Sequence, residues 1–176
     1  MEIYIADFET IERDGKECIW LWDVCQGASH HWGYDIESFI EWLDTLTGNV
    51  NIKFHNLKFD GCFIIDWLLS NGYTFTPDGD FDNMRVGEFS AFVAPKNIFY
   101  HMSLISKSGG HIVISDSLKL IPMSVRAMAK TFGLKIQKGE IDYKKPRPVG
   151  YIPTLEEMDY IVRDTAIVYA CYKILY

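Results

Sequence analysis

The chain has 176 residues, of which 48% are hydrophobic and 15% aromatic, so it can fill the core of one domain and is not expected to be disordered. Its formal net charge of -7 argues against binding duplex nucleic acid through a broad basic face, although a carboxylate site brings its own cations. We find no apolar run of about 18 residues and no basic start followed by an apolar stretch. We therefore expect a cytoplasmic protein without a membrane partner.

The start of the chain predicts a β-sheet with a helix packed on it. Alternating residues over 2–9 and the β-rich run 18–24 indicate two strands joined by an Asp-Gly turn at 14–15. Apolar residues at helical spacing predict a helix over 35–46, and a further strand follows over 50–54. The order strand, strand, helix, strand is typical of a mixed α/β domain.

The rest of the chain predicts more helices and an extension of the sheet. Pro122 and Gly133 mark the start and the end of one helix, and Thr154 with Glu157 forms the capping box of the last one. The predicted elements are a helix over 59–72, a loop over 73–87, strands over 88–94, 97–105 and 110–117 with a hairpin turn at 95–97, and helices over 122–133 and 154–176.

The final helix runs to the last residue of the sequence. Either the native chain ends on a docked helix, or these residues are a domain of a longer protein. We favour the second interpretation and treat residues 1–176 as a single domain.

Two acids stand at the end of the first predicted strand. Because side chains alternate along a strand, Asp7 and Glu9 share a face with Ile3 and Ile5, which are apolar. Two like charges at the edge of a core cost several kcal/mol unless a cation offsets them, and a divalent metal with oxygen ligands is the simplest such cation. The alternative is a frayed strand end with both acids in water.

Three more side chains extend this pattern. Asp60 lies at the start of a predicted helix, where the helix N-terminus favours an anion, and Tyr160 and Asp164 share one helical face at i, i+4 spacing. Each alone has an ordinary explanation, as a helix cap, a core aromatic residue and a solvated acid. Together, the order D-x-E, N-x-x-F-D, Y-x-x-x-D along an α/β chain is a recognisable nuclease signature.

The sequence resembles the N-terminal 3'-5' exonuclease (proofreading) domain of the protein-primed family-B DNA polymerases of bacteriophages. The motifs that carry the resemblance are DFET, FHNLKFDG, DSLK, KGEIDYKKPRPVGY and YIVRD, which occur in the family's order and span nearly the whole chain. The resemblance implies a ribonuclease H-like exonuclease fold of the DEDDy class, with a mixed central β-sheet flanked by α-helices. It also implies removal of nucleotides from single-stranded DNA 3' ends with two divalent metal ions, Mg²⁺ or Mn²⁺.

The resemblance assigns roles in this metal site. Asp7 would bridge the two ions, Glu9 and Asp164 would complete the site that activates water, and Asp60 would hold the second ion, largely through water ligands. Tyr160 would orient the attacking hydroxide through its phenol oxygen, which does not need to ionise for this role.

Other residues would hold the DNA. By the same resemblance, Lys138 supports the scissile phosphate and Tyr143 helps to place the DNA end, while the basic segment 144–148 either contacts phosphates or is a solvated turn. We expect one of the rings of Phe59 and Phe63 to press against the terminal base while the other packs, with ordinary core packing as the alternative. The implied contacts with single-stranded DNA are made by Thr10, His55, Asn56, Phe59, Phe63, Ser117, Leu118 and Tyr143.

The implied partners are a single-stranded DNA 3' end and, in a longer chain, a polymerase domain and a terminal protein. We expect a monomer, located in the host cytoplasm if the chain is phage-encoded. Two alternatives remain: a stand-alone DEDD exoribonuclease, and a non-catalytic clamp for single-stranded nucleic acid. The complete set of acids and the tyrosine speaks against the clamp.

Overall fold

The computed structural model describes residues 1–94 and 98–176, and the side chains of residues 94 and 98–100 are not described. The eight described strands form mixed β-sheet with helices beside them, as predicted. The strands are β1 (Glu2–Arg13), β2 (Lys16–Gln26), β3 (Ser29–Gly33), β4 (Asn49–Phe54), β5 (Thr74–Phe75), β6 (Glu88–Ala94), β7 (Ile98–Ile105) and β8 (His111–Asp116). The helices are α1 (Ile36–Thr45), α2 (Leu57–Ser70), α3 (Val125–Thr131) and α4 (Leu155–Leu175), and a 3₁₀ turn covers Ser117–Lys119.

The chain divides into two compact units. Unit 1 contains residues 1–4 and 36–120, and unit 2 contains residues 5–35 and 121–176. The start of β1 therefore belongs to unit 1, and the remainder of that strand belongs to unit 2.

Unit 1 is built on β4, β8, β7, β6 and β5, in that order across the sheet. β4 and β8 are parallel, β7 is antiparallel to β8 and to β6, and β5 pairs with β6 over two residues. The helices α1 and α2 pack on each other, and α2 packs on β7. Fully buried side chains form the core of this unit, among them Phe39, Ile52, Phe54, Ile64 and Met102.

Unit 2 contains β3, β2 and β1, which pair antiparallel in that order, together with α3 and α4. Ile5 of β1 packs in one buried cluster with Met128 of α3 and Ile167 of α4. The same strand face continues to Asp7 and Glu9, which confirms that the two carboxylates follow an apolar stretch of β1.

Several local predictions are confirmed. Asp14 and Gly15 both have positive φ, 50° and 77°, as an Asp-Gly hairpin turn requires. The Thr154 and Glu157 capping box is present at the start of α4. None of the described helices is long and apolar enough to cross a membrane.

The element boundaries needed correction. The predicted helix over 122–133 begins only at Val125, because the Ser124 side chain caps it by accepting from the Ala127 amide. The edge strand β3 and the 3₁₀ turn were not predicted, and the predicted loop over 73–87 contains the short strand β5. The predicted hairpin turn at 95–97 lies outside the described residues.

Candidate active site

Three carboxylates converge in unit 2. Asp7 and Glu9 come from β1 and Asp164 comes from the middle of α4, and one oxygen atom of each lies within 4.8 Å of the others. Asp7 is half-buried, whereas Glu9 and Asp164 are buried. The structure thus brings together three of the four predicted metal ligands, and the fourth, Asp60, belongs to unit 1.

A β-bulge shapes the strand beside Glu9. Glu9 pairs with Leu21 and Thr10 pairs with Ile19, so Trp20 is the extra residue of β2. Bulges bend a strand and redirect its side chains, and they are frequent next to active sites. Thr10, a predicted DNA contact, lies half-buried at this bulge.

A buried hydrogen bond ties α4 to β2 next to Asp164. The Thr165 hydroxyl donates to the Asp23 carboxylate over 2.5 Å, and His30 Nδ1 lies 2.9 Å from the same carboxylate. Asp23 is completely buried, and burial raises its pKa although both partners lower it. This contact fixes the turn of α4 that carries Asp164.

The electrostatics of the three carboxylates favour a cation. Burial and, second to it, the charge of Asp164 raise the pKa of Glu9 to about 7, although Lys138 and Arg147 act in the opposite direction. The group of acids is therefore short of positive charge. A donor set made only of carboxylate oxygens suits hard divalent ions such as Mg²⁺ and Mn²⁺, so these residues fit the implied metal.

Lys138 and Tyr160 complete the group. Lys138 Nζ forms an ion pair with Asp164 and lies 4.7 Å from the centre of the Tyr160 ring. Tyr160 is 3% exposed, and its hydroxyl oxygen lies 2.6 Å from that of Tyr143. Burial, followed by the surrounding acids, raises the pKa of Tyr160, so its phenol is neutral at physiological pH. Unit 2 thus assembles Tyr143, Lys138 and Tyr160 with the acids.

A cavity of about 240 Å³ opens beside Tyr160, and Lys138, Gly139 and Tyr143 line it. A Cβ atom at Gly139 would lie only 3.3 Å from Cδ2 of Tyr160. Glycine at this position therefore lets the backbone pass close to the Tyr160 ring.

Within the basic segment 144–148, Lys144 is exposed, as a solvated turn requires, whereas Arg147 differs from both predictions. Arg147 is 3% exposed, donates to Glu157 through Nε and Nη2 at 3.2 and 2.9 Å, and lies 4.1 Å from the centre of the Trp20 ring. Nη1 donates to the carbonyl of Lys145 and Nη2 to that of Asp142. Arg147 is thus neither solvated nor exposed to a phosphate, and it anchors the segment that carries Tyr143.

Unit 1 holds the remaining predicted residues. Asp60 lies in the first turn of α2 and is 4% exposed. Phe59 is 45% exposed and meets the half-buried Phe63 edge to face, with ring centres 5.6 Å apart. Phe63 is thus the less exposed of the two rings, and contact of Phe59 with a base stays a prediction.

The two predicted DNA-binding segments of unit 1 meet each other. His55 Nδ1 lies 3.0 Å from Ser117 Oγ, which donates to the Phe54 carbonyl. The carboxylate of Asp116 accepts from the amides of Asn56 and Leu118. His55, Asn56, Ser117 and Leu118 are therefore neighbours in space.

Sequence reasoning missed Asp23, Asp116, Arg147 and Glu157 as parts of this arrangement. Glu157 had a signal, because it occupies the N3 position of the capping box that begins at Thr154. The pairings of Asp23 and Arg147 connect residues far apart in the sequence, so no local pattern indicates them.

Comparison with known proteins identifies the family. Residues 45–169 match the family model described as DNA polymerase type B, organellar and viral. The chain belongs to this family. One relative, the DNA polymerase of Bacillus phage phi29, is 34% identical over an alignment of 174 residues that covers 95% of this chain and 29% of the relative. The DNA polymerase of Streptococcus phage Cp-1 is 29% identical and matches 93% of this chain and 28% of the relative.

Solved structures agree with these relatives. Phi29 DNA polymerase complexed with single-stranded DNA superposes with a TM-score of 0.86 at 31% identity, over 99% of this chain and 31% of that one. Its ternary complex with primer-template DNA and incoming nucleotides gives a TM-score of 0.87 at 32% identity, over 98% of this chain and 30% of that one. The resemblance to an N-terminal domain of phage polymerases and the ribonuclease H-like fold are confirmed. The chain spans less than a third of the length of these relatives.

Proposed function

We propose that this chain is a metal-dependent 3'-5' exonuclease domain that removes nucleotides from single-stranded DNA ends, as the proofreading part of a protein-primed phage DNA polymerase. The observation that carries the proposal is the convergence of Asp7, Glu9 and Asp164 beside Lys138 and the neutral hydroxyl of Tyr160, in a chain of this polymerase family.

Asp7, Glu9 and Asp164 are the residues of unit 2 that would hold divalent metal ions, and Asp60 is the ligand that we expect from unit 1. Metal ions bound in this way lower the pKa of a water molecule and stabilise the charge that develops on a phosphodiester. The raised pKa of Glu9 supports this assignment, because a bound cation would relieve the repulsion between Glu9 and Asp164.

The protein groups around the acids position the reactants. The hydroxyl oxygen of Tyr160 lies 2.6 Å from that of Tyr143, which holds it in place. While it remains un-ionised, this hydroxyl can donate a hydrogen bond to a water molecule or accept one from it. The Lys138 ammonium forms an ion pair with Asp164 and has further N–H groups that can donate to a phosphate oxygen. The cavity beside Tyr160 leaves room for the end of a DNA strand.

Unit 1 would supply the residues that bind the single-stranded DNA. The exposed ring of Phe59 can stack on a base. His55 and Asn56, which precede Phe59 closely in the sequence, have polar side chains that can form hydrogen bonds with the strand. The structure of phi29 DNA polymerase with single-stranded DNA shows that a relative binds this ligand. A polymerase domain, a terminal protein, a monomeric state and the host cytoplasm are parts of the same proposal.

The experiment is degradation of a 5'-labelled single-stranded DNA oligonucleotide with Mg²⁺ or Mn²⁺ and with EDTA. We expect a metal-dependent ladder, which the double variant Asp7→Ala/Glu9→Ala abolishes while it stays folded in a thermal melt. The matched control is Glu12→Ala/Glu17→Ala, which removes two exposed acids from the same hairpin.

Each alternative gives its own result. An RNA oligonucleotide of the same sequence degraded faster than the DNA would indicate an exoribonuclease. Binding of DNA by the folded, metal-bound protein without any ladder would indicate a clamp. Cleavage by the Asp7→Ala/Glu9→Ala variant at the wild-type rate would show that the active site lies elsewhere.

A further inference from the structure

Two predicted DNA-binding segments begin at the same place in unit 1. β4 and β8 are parallel, and Phe54 at the end of β4 is in register with Asp116 at the end of β8. The chain continues from β4 into the turn at His55 and Asn56, and from β8 into the 3₁₀ turn. Both segments therefore leave the sheet side by side.

One carboxylate oxygen joins these segments. Asp116 Oδ1 accepts from the Asn56 amide at 3.1 Å and from the Leu118 amide at 2.8 Å. Asp116 Oδ2 lies 3.4 Å from Lys119 Nζ. The Asp116 side chain is only 6% exposed, so its carboxylate acts inside the protein, on the backbone.

The backbone of Asn56, which donates to Asp116, has a left-handed conformation. Asn56 has a φ of 88°, in the left-handed region that a residue other than glycine adopts at a cost. It precedes α2, yet its side chain makes no capping hydrogen bond with that helix. The amide bond to Asp116 stabilises the left-handed turn and leaves the exposed Asn56 side chain available to a ligand.

The Asp116 carboxylate also stabilises the 3₁₀ turn at Ser117–Lys119. Its bond to the Leu118 amide caps the 3₁₀ turn and fixes Ser117, whose hydroxyl is then within reach of both His55 and the Phe54 carbonyl. Loss of Asp116 would release both turns at once.

From these contacts we propose that Asp116 is a positioning residue for single-stranded DNA binding, which holds the Asn56 turn and the Ser117–Leu118 turn in one arrangement. Asp116 does not contact the strand itself, because a buried anion paired with Lys119 is a poor partner for phosphates. The inference rests on the proposed function, since it takes single-stranded DNA as the ligand of these turns.

The test measures binding of a 5'-fluorescein oligothymidylate by anisotropy, with Ca²⁺ in place of Mg²⁺ to suppress cleavage. Asp116→Ala removes the acceptor, whereas Asp116→Asn keeps an oxygen that can accept the same two bonds. The matched control is Asp44→Ala, because Asp44 is a largely buried acid of the same unit that accepts from the Lys107 amide and pairs with its ammonium. Hydrogen exchange of the Asn56 and Leu118 amides is followed by NMR in each variant.

We expect Asp116→Ala to raise Kd about tenfold or more and to speed exchange at both amides, since two hydrogen bonds to one charged acceptor are lost. Asp116→Asn should remain within about threefold of the wild type. Asp44→Ala should lower Tm and leave Kd unchanged.

Three results would overturn the inference, and they are distinguishable. Wild-type Kd in folded Asp116→Ala would refute the positioning role and leave the exonuclease proposal intact. Equal losses of affinity in Asp116→Ala and Asp44→Ala would reduce Asp116 to a general contribution to stability. A wild-type protein that binds no single-stranded DNA would refute the proposed function and the role of Asp116 with it.

Discussion

The hydroxyl oxygens of Tyr143 and Tyr160 lie 2.6 Å apart, so one phenol donates a hydrogen bond to the other. Their rings meet edge to face with centres 6.4 Å apart. Tyr143 is 64% exposed and Tyr160 is 3% exposed, so the pair links the surface to the buried carboxylates. Burial raises the pKa of both phenols, and both therefore remain protonated at physiological pH.

This pair predicts a graded effect of removing each hydroxyl. Tyr160→Phe deletes the oxygen next to the acids and should lower the cleavage rate about 10²-fold or more, the range of a lost general acid-base or orienting group. Tyr143→Phe removes only the partner of that oxygen and should lower the rate less, by about tenfold. Single-turnover cleavage of a labelled oligonucleotide measures both rates.

Metal binding should persist in both tyrosine variants, because neither phenol is among the carboxylate ligands. The rise in Tm on addition of Mn²⁺ reports this binding. Loss of that rise in Tyr160→Phe would show that the tyrosine takes part in the metal site. A larger rate loss in Tyr143→Phe than in Tyr160→Phe would reverse the order of their roles.

Lys138 should affect metal affinity and cleavage in opposite directions. Its ammonium neutralises part of the charge of Asp164, so Lys138→Gln leaves the acids more negative and should lower the Mn²⁺ concentration needed for half of the Tm rise. The same variant should cleave DNA about 10 to 10²-fold more slowly, because a donor for the phosphate is lost.

The control for this prediction is Lys135→Gln, which neutralises an exposed lysine three residues earlier and should change neither quantity. If Lys138→Gln weakened Mn²⁺ binding, the ammonium would be organising the carboxylates rather than competing with the cation. Unchanged cleavage would remove Lys138 from the active site.

The sequence predicted the parts of the site that depend on local pattern. The i, i+4 spacing of Tyr160 and Asp164 requires only a helix, and the shared face of Asp7 and Glu9 requires only a strand. The Asp-Gly turn and the capping box at Thr154 were equally local, and the structure shows each of them. These features were predictable because their geometry is set within a few residues.

The missed features depend on contacts between distant segments. The bond between Thr165 and Asp23 spans 142 positions, and that between Asn56 and Asp116 spans 60. No periodicity within either segment indicates such a partner. Arg147 lies in a basic run, and only the fold shows that it is buried against Glu157 while its neighbour Lys144 is exposed.

The hydrogen bond of Thr165 to Asp23 should support both the fold and the metal site. Thr165→Val keeps the shape of the side chain but leaves the buried Asp23 carboxylate with one partner fewer, which should destabilise the protein by about 1 to 3 kcal/mol. For a chain of this size each kcal/mol lowers Tm by about 2 to 4 °C.

Thr165→Ser, which retains the hydroxyl, serves as the control and should lose less stability than Thr165→Val. Because Thr165 follows Asp164 directly, the Tm rise caused by Mn²⁺ should also shrink in Thr165→Val. If Thr165→Val were destabilised but showed the same Tm rise with Mn²⁺ as the wild type, the hydrogen bond between Thr165 and Asp23 would have only a structural role.

Glu157 gives the protein a defined sensitivity to acid. Burial alone would raise its pKa, but the Thr154 amide, the Tyr151 hydroxyl and Arg147 outweigh burial and lower the pKa from 4.5 to about 2. A carboxyl group whose pKa is lower in the folded state stabilises the fold above its unfolded pKa. This contribution is complete above pH 4.5 and disappears as the pH falls towards 2.

Glu157→Gln should therefore be less stable than the wild type at pH 7, and the gap in Tm should close as the pH falls from 4.5 to 2. Glu156→Gln, which neutralises the exposed neighbouring acid in the same turn of α4, should follow the wild-type curve throughout. Thermal melts at pH 7, 4.5, 3 and 2 measure the gap.

A difference in Tm that stayed constant over this pH range would mean that Glu157 stabilises α4 through packing and hydrogen bonds that do not depend on its charge. A gap that closes would show that the ion pair between Glu157 and Arg147 is lost as the pH approaches 2, and with it the anchor of the segment that carries Tyr143.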